Sequence, residues 1–136
     1  MRRPAEVVLS AIFGFVASGL MLALTIAGIS ILSRGGEAYE LFAETWRWSP
    51  TFHVARALLS TLVFGVASVY MLQANGWARN LFVGWSWLQL ILDIRTGPHF
   101  QGGWSAVSFV QVILTFVLSY LLLTGSSRKY FEEEGV

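Results

Sequence analysis

The chain has 136 residues, 55% of them apolar and only 12% charged, with a mean hydropathy of +0.62. Soluble domains carry about 25% charged residues, so this composition excludes an ordinary soluble domain and points to a membrane. A net charge of +1, with nine basic residues dispersed along the chain, excludes a nucleic-acid interface; the absence of cysteine excludes disulfides, thiolate metal sites, cysteine nucleophiles and S-palmitoylation.

The first apolar run, residues 9–33, contains no Asp, Glu, Lys, Arg or His. A helix of about 20 such residues crosses a ~30 Å hydrocarbon core. A signal-peptide core spans only about 7–15 residues, and no A-x-A-like cleavage site precedes Arg34. A retained transmembrane helix over about 7–32 is therefore expected. Along it Ser10, Gly14 and Ser18 recur every four residues, and Gly19, Ala23 and Ala27 form a second such line. Small-xxx-small lines let helices approach closely. Two of them on different faces suit one inner contact and one contact to a second protein.

The connection at 33–51 has its own pattern. Glu37, Glu40 and Glu44 recur at helical spacing, while Tyr39, Phe42, Ala43 and Trp46 fall on the other side. This predicts a short amphipathic helix over about 37–47 lying on the membrane surface. It can serve as an interfacial brace or as a docking surface, and the brace is the simpler reading.

Three further spans follow, at about 53–73, 77–96 and 104–124. The connections "ANG" and "GPHFQGG" are short and rich in turn residues, which makes consecutive spans antiparallel neighbours. Trp77 and Trp104 open the third and fourth spans at the depth of aromatic belts, and all six tryptophans read as belt and packing residues. The tail "SSRKYFEEEGV" places Arg128 and Lys129 at headgroups and Tyr130 and Phe131 at the interface. The expected fold is an all-α membrane protein: one domain of four transmembrane helices in an antiparallel up-down bundle, with the interfacial helix between the first two.

Orientation follows Lys and Arg counts in short flanks. Arg2, Arg3, Arg79, Arg128 and Lys129 fall on one side, and Arg34, Arg47, Arg56 and Arg95 on the other. Five against four favours both termini in the cytoplasm, in a bacterial inner membrane, with the acidic loop helix outside.

The polar residues within the spans share depths. Thr25, Ser60, Gln89 and Gln111 each lie seven residues in from the outer end of their span, about 10 Å at ~1.5 Å per residue. Arg56 and Asp93 lie three residues in. Arg56 and Ser60 are i,i+4 on one helix, as are Gln89 and Asp93 on the next. Polar groups in lipid are costly unless paired or turned inward. The expectation is an Arg56–Asp93 ion pair above a polar layer of Thr25, Ser60, Gln89 and Gln111, with Ser60 meeting Gln89. On the last span Ser108, Gln111, Thr115 and Ser119 form an inward polar stripe. Asp93 is near the interface, has a cationic partner and lacks a second carboxylate for a relay, so its expected role is structural rather than translocating.

His53 and His99 share no H-x-x-x-H or E-x-x-H spacing that would hold a metal or haem, and no nucleophile elbow, S-x-x-K, Walker loop or G-x-G-x-x-G is present. No cofactor and no catalysis are expected. "GWARNLFVGWS" opening one span and "YLLLTGSSRKYF" closing the last resemble a broad set of small four-helix bacterial membrane proteins with no assigned activity. In those a Trp-Ala-Arg start and a final basic-Tyr-Phe recur, and the resemblance implies a fold, not an activity. Small multidrug exporters are also short four-helix proteins, but they depend on a carboxylate well inside the first span. Here there is none between Glu6 and Arg34.

The leading expectation is thus a non-catalytic accessory subunit, partnered by the bilayer and by another membrane protein or a second copy of itself, with immunity-type toxin binding as a variant. The alternative is a small-solute or proton-coupled transporter acting as a homodimer, with Asp93 and Gln89 lining its path.

Overall fold

The computed structural model describes residues 3–101, 103 and 105–133, and the regular elements among them are all helices. They are α1 (Ala5–Arg34), α2 (Gly36–Thr45), α3 (Pro50–Leu72), α4 (Gly76–Thr96), α5 (Pro98–Gln101), α6 (Ala106–Leu123) and α7 (Gly125–Glu133). Arg2 and Trp104 lie outside the described residues. α1, α3 and α6 are long and apolar enough to cross a membrane, consistent with a membrane location. α4 matches them in length but carries Arg79, Asp93 and Arg95 among its 21 residues.

Local chemistry explains the breaks. Gly35 and Gly36 hold φ of 66° and 75°, the left-handed region open to glycine, and turn the chain from α1 into α2. Ser49 caps α3, its Oγ accepting from the Phe52 N–H at 3.2 Å, and Pro50 follows at the first helical position. Ser105 and Ser108 form a reciprocal capping box that starts α6.

α1 packs mainly on α3, α3 also on α4, α4 on α6, and α6 back on α1. The inner seam of α1 runs Val7, Ala11, Gly14, Ser18, Met21, Thr25 and Gly28, alternating steps of four and three. That 3.5-residue period keeps one line of a helix against its neighbour. The seam residues are mostly small, whereas the large side chains of Leu9, Ile12, Phe15 and Ile26 are exposed. Small inside and large outside is the arrangement expected of helices packed in lipid.

Contact along the seam is close. A Cβ on Gly14 would collide with Ser68 Oγ and sit 2.8 Å from Phe82 Cε2, and one on Gly28 would sit 2.5 Å from Val54 Cγ2. Ser18 Oγ donates to the Thr61 carbonyl at 2.7 Å. The second small line, Gly19, Ala23 and Ala27, faces outward, and nothing lies within 4 Å of a Cβ at Gly19.

The apolar core gathers at the end of the molecule that holds both chain ends. Val7, Ala67, Met71, Ala78, Phe82 and Leu122 are fully buried there. α7 folds back onto them because Thr124 takes an extended backbone that ends α6. Tyr130 and Phe131, expected at the lipid interface, are instead only 4% and 5% exposed within the protein. Tyr130 Oη donates to the Leu72 carbonyl at 2.7 Å, and Arg3 Nε donates to the same carbonyl at 2.8 Å. The Arg79 guanidinium lies 5.3 Å from the Phe131 ring centre.

The two glycines of α1 give a controlled comparison. Gly14→Val forces Phe82 and Ser68 aside at an overpacking cost of about 1–3 kcal/mol, a drop of several degrees in melting temperature. Gly19→Val leaves the melting temperature of the detergent-purified protein unchanged. Equal melting of the two variants contradicts the seam.

Candidate functional site

Three helices converge on one carboxylate. Arg56 of α3 donates from Nη2 to Asp93 Oδ1 of α4 at 2.8 Å, and Gln111 of α6 donates from Nε2 to Asp93 Oδ2 at 2.6 Å. The Arg56 and Asp93 side chains are only 13% and 16% exposed. A carboxylate withdrawn from water needs a counter-charge and further hydrogen bonds to stay ionised; here each oxygen has its own donor. Trp46, which ends α2, places its ring 5.9 Å from the Arg56 guanidinium.

The rest of the expected polar layer is arranged differently. Ser60 Oγ accepts from Trp85 Nε1 at 3.0 Å, not from Gln89. Trp85 lies one turn before Gln89 on α4, and its longer indole reaches the hydroxyl first. The Gln89 Nε2 is buried with no hydrogen-bond partner. Thr25 turns back on its own helix, Oγ1 donating to the Met21 carbonyl at 2.7 Å. Of the four residues, Gln111 alone joins the ion pair.

Tryptophans supply cross-links that were not anticipated. Besides Trp85, Trp87 Nε1 donates to Ser119 Oγ at 2.9 Å, joining α4 to α6. The signal is present in "GWSWLQ": two indoles in mid-helix lie too deep for a belt and need acceptors. Ser119 and Thr115 also donate to carbonyls four residues back, and Ser108 and Thr115 are buried.

α2 is amphipathic, with Glu37, Glu40, Glu44 and Tyr39 exposed and Phe42 and Trp46 half-buried toward α3. His53 sits among the rings of Phe42, Trp46 and Phe52, with centroids at 6.2, 4.8 and 5.3 Å. Neither of its buried ring nitrogens has a partner. The side chain of His99 lies outside the described residues.

Below this aromatic cover is a chamber of about 520 Å³. Arg56, Asp93, Gln89, Gln111 and His53 line its polar end. Phe13, Leu20 and Leu24 of α1, Phe64 of α3, and Leu114 and Leu118 of α6 form apolar walls. Its size lies within the range of about 300–1,000 Å³ of small-molecule sites.

Removing the cation tests the centre. Arg56→Ala strands a buried carboxylate at a cost of about 3–5 kcal/mol, so little folded protein is recovered from membranes. Arg47→Ala, on an exposed side chain, yields wild-type amounts, and Arg56→Ala combined with Asp93→Ala recovers part of the loss. Wild-type yield and melting for the single variant Arg56→Ala contradict the ion pair's role.

Compared with protein-family models, with curated proteins and with solved structures, the chain matches none of them.

Proposed function

We propose that this chain is a four-span integral protein of a bacterial inner membrane with both termini in the cytoplasm, and that it works without catalysis as an accessory subunit packed against another membrane protein. Contact order supports the up-down arrangement. Gly14, Ser18 and Gly28 of α1 meet Ser68, Gly65 and Val54 of α3, so one set of numbers falls as the other rises. Arg56, Ser60 and Phe64 meet Asp93, Trp85 and Phe82 in the same sense. Asp93 and Trp87 of α4 meet Gln111 and Ser119 of α6 likewise. With α4 also crossing, as the third of four spans in chain order, Arg3, Arg79 and Arg128 share one side, as the positive-inside rule favours for the cytoplasm.

The observation that carries the accessory role is the outward line Gly19, Ala23 and Ala27. α1 uses its first small line to approach α3 and leaves the second exposed, where a Cβ at Gly19 would meet nothing within 4 Å. Small residues facing lipid gain little there, whereas against another helix they permit close packing and weak Cα–H···O contacts. An immunity-type protein that binds a membrane-acting toxin uses the same kind of surface. The exposed acidic face of α2 adds a second contact region outside the membrane.

The second reading, a homodimeric transporter, rests on Gln89 and Asp93 lining the chamber. Against it, both Asp93 oxygens are already held by donors, which disfavours the proton exchange that coupling needs.

Native mass spectrometry of protein extracted gently from its own membranes is the test. A larger stoichiometric partner is expected, and Gly19→Leu with Ala23→Leu, which leaves the melting temperature unchanged, releases it. A bare homodimer, unaffected by those substitutions, overturns the accessory role. In that event Asp93→Asn abolishing a proton-driven flux in proteoliposomes establishes the transporter.

A further inference from the structure

We propose that α2 is an acid-released lid, closed over His53 while that imidazole is neutral and raised about the Gly35–Gly36 joint when His53 takes up a proton.

α2 is held to the body through rings rather than hydrogen bonds. Among the described residues, no group of Gly36–Thr45 makes a hydrogen bond or ion pair with another helix. The nearest such bond runs from the Arg47 N–H to the Thr96 carbonyl at 3.4 Å, just beyond the helix end. Phe42 lies against the His53 ring with centroids 6.2 Å apart. Trp46 lies 4.8 Å from the same ring and 5.9 Å from the Arg56 guanidinium. Both connections of α2 are bent. Gly35 and Gly36, at φ of 66° and 75°, give the first the freedom of glycine. In the second, Trp48 is held at φ 28°, a conformation uncommon for a bulky side chain, so the closed position loads that turn.

The surroundings of His53 couple this lid to protons. Its ring is enclosed by Phe42, Trp46 and Phe52, and both nitrogens are sealed from solvent without a hydrogen-bond partner. An imidazolium there would hold a charge and two N–H donors with neither acceptor nor water to meet them. The charged groups that face it are Arg56 of α3 and Asp93 of α4. Arg56 has the same sign, and both oxygens of Asp93 already accept from Arg56 and Gln111. The acids of α2, Glu37, Glu40 and Glu44, are exposed on its far side, and Gln111 of α6 carries no charge.

With α2 raised, His53 meets water, where a histidine titrates near pH ~6.5. A proton bound by one state alone draws the equilibrium toward that state. Between pH 8 and pH 5.5 the ratio of raised to closed molecules therefore grows about tenfold. The same movement takes Trp46 off Arg56 and opens the ion pair to solution.

The chain has no cysteine, so a single introduced thiol reports cleanly. Ala57 lies one turn beyond His53 and lines the chamber with Phe42 and Trp46; Ala43 is on the exposed side of α2. Ala57→Cys and, as the reference for thiol ionisation, Ala43→Cys are reconstituted as full chains in phosphatidylcholine nanodiscs. Each reacts with a trimethylammonium methanethiosulfonate at pH 8 and pH 5.5, a reagent that a protonated His53 repels rather than attracts. The rate at position 57 relative to position 43 is expected to rise about tenfold on acidification. His53→Phe, which keeps a ring but binds no proton, flattens the ratio, and His53→Leu does the same should the phenylalanine variant melt below its parent at pH 8. His99→Gln retains the rise. A ratio that stays flat in the parent, that still rises in a folded His53 variant, or that is flattened by His99→Gln overturns the lid.

Discussion

The contact between Arg56, Asp93 and Gln111 sets the terms for the rest of the molecule. A carboxylate cannot be withdrawn from water unless its charge is met at once, and here the donors come from α3 and α6 while the acceptor comes from α4. That requirement fixes the mutual depth of three helices to within a hydrogen bond's tolerance. Apolar surfaces alone cannot do this, because leucine slides past leucine in lipid at little cost. Trp85 with Ser60 and Trp87 with Ser119 repeat the same logic about two turns deeper. Each is one donor and one acceptor on different helices.

Fixing the depth of the helices does not fill the space between them. Where the start of α1 meets α7, Tyr130 and Phe131 join a cluster of buried apolar side chains. At the α2 end no comparable plug exists among the described residues. Phe42 and Trp46 cover the space without filling it, so the polar centre borders a chamber. The molecule is closely packed at one end and hollow at the other, and buried polar atoms without partners occur in both halves, on Ser10 and Ser68 in the packed one and on His53, Arg56 and Gln89 in the hollow one. Unpaired groups at Gln89 and His53 are tolerable there only because the neighbouring ion pair and the α1–α3 seam hold the frame independently of them.

Much of this was readable from residue spacing, and the unread part has a common cause. Counting turns from the ends of the spans puts Arg56 and Asp93 at one depth on facing sides, and the structure sets them 2.8 Å apart. The two small lines on α1 separate by face for the same reason, since a helix's period is fixed by its backbone. Spacing says nothing of reach, however. Ser60 and Gln89 also share a depth, but an indole one turn away is longer than an amide and takes the hydroxyl. Tyr130 and Phe131 sit in a segment of mixed polarity whose destination depends on whether the chain reverses at Thr124, which composition does not reveal. Positions set by backbone geometry were legible, and those set by competition between side chains were not.

The double use of the Leu72 carbonyl has a consequence for how the chain matures in time. Tyr130 lies 58 residues beyond its acceptor, and Arg3 lies 69 residues before it. At about 5–20 residues per second of synthesis, roughly 3–12 s separate the making of Leu72 from the making of the tyrosine that closes over it. Throughout that interval α3 ends in a carbonyl held at most by an arginine near the chain's start, and the core pocket for Phe131 stands empty. The apolar end of the nascent chain thus stays open until the segment from Gly125 onward has been made.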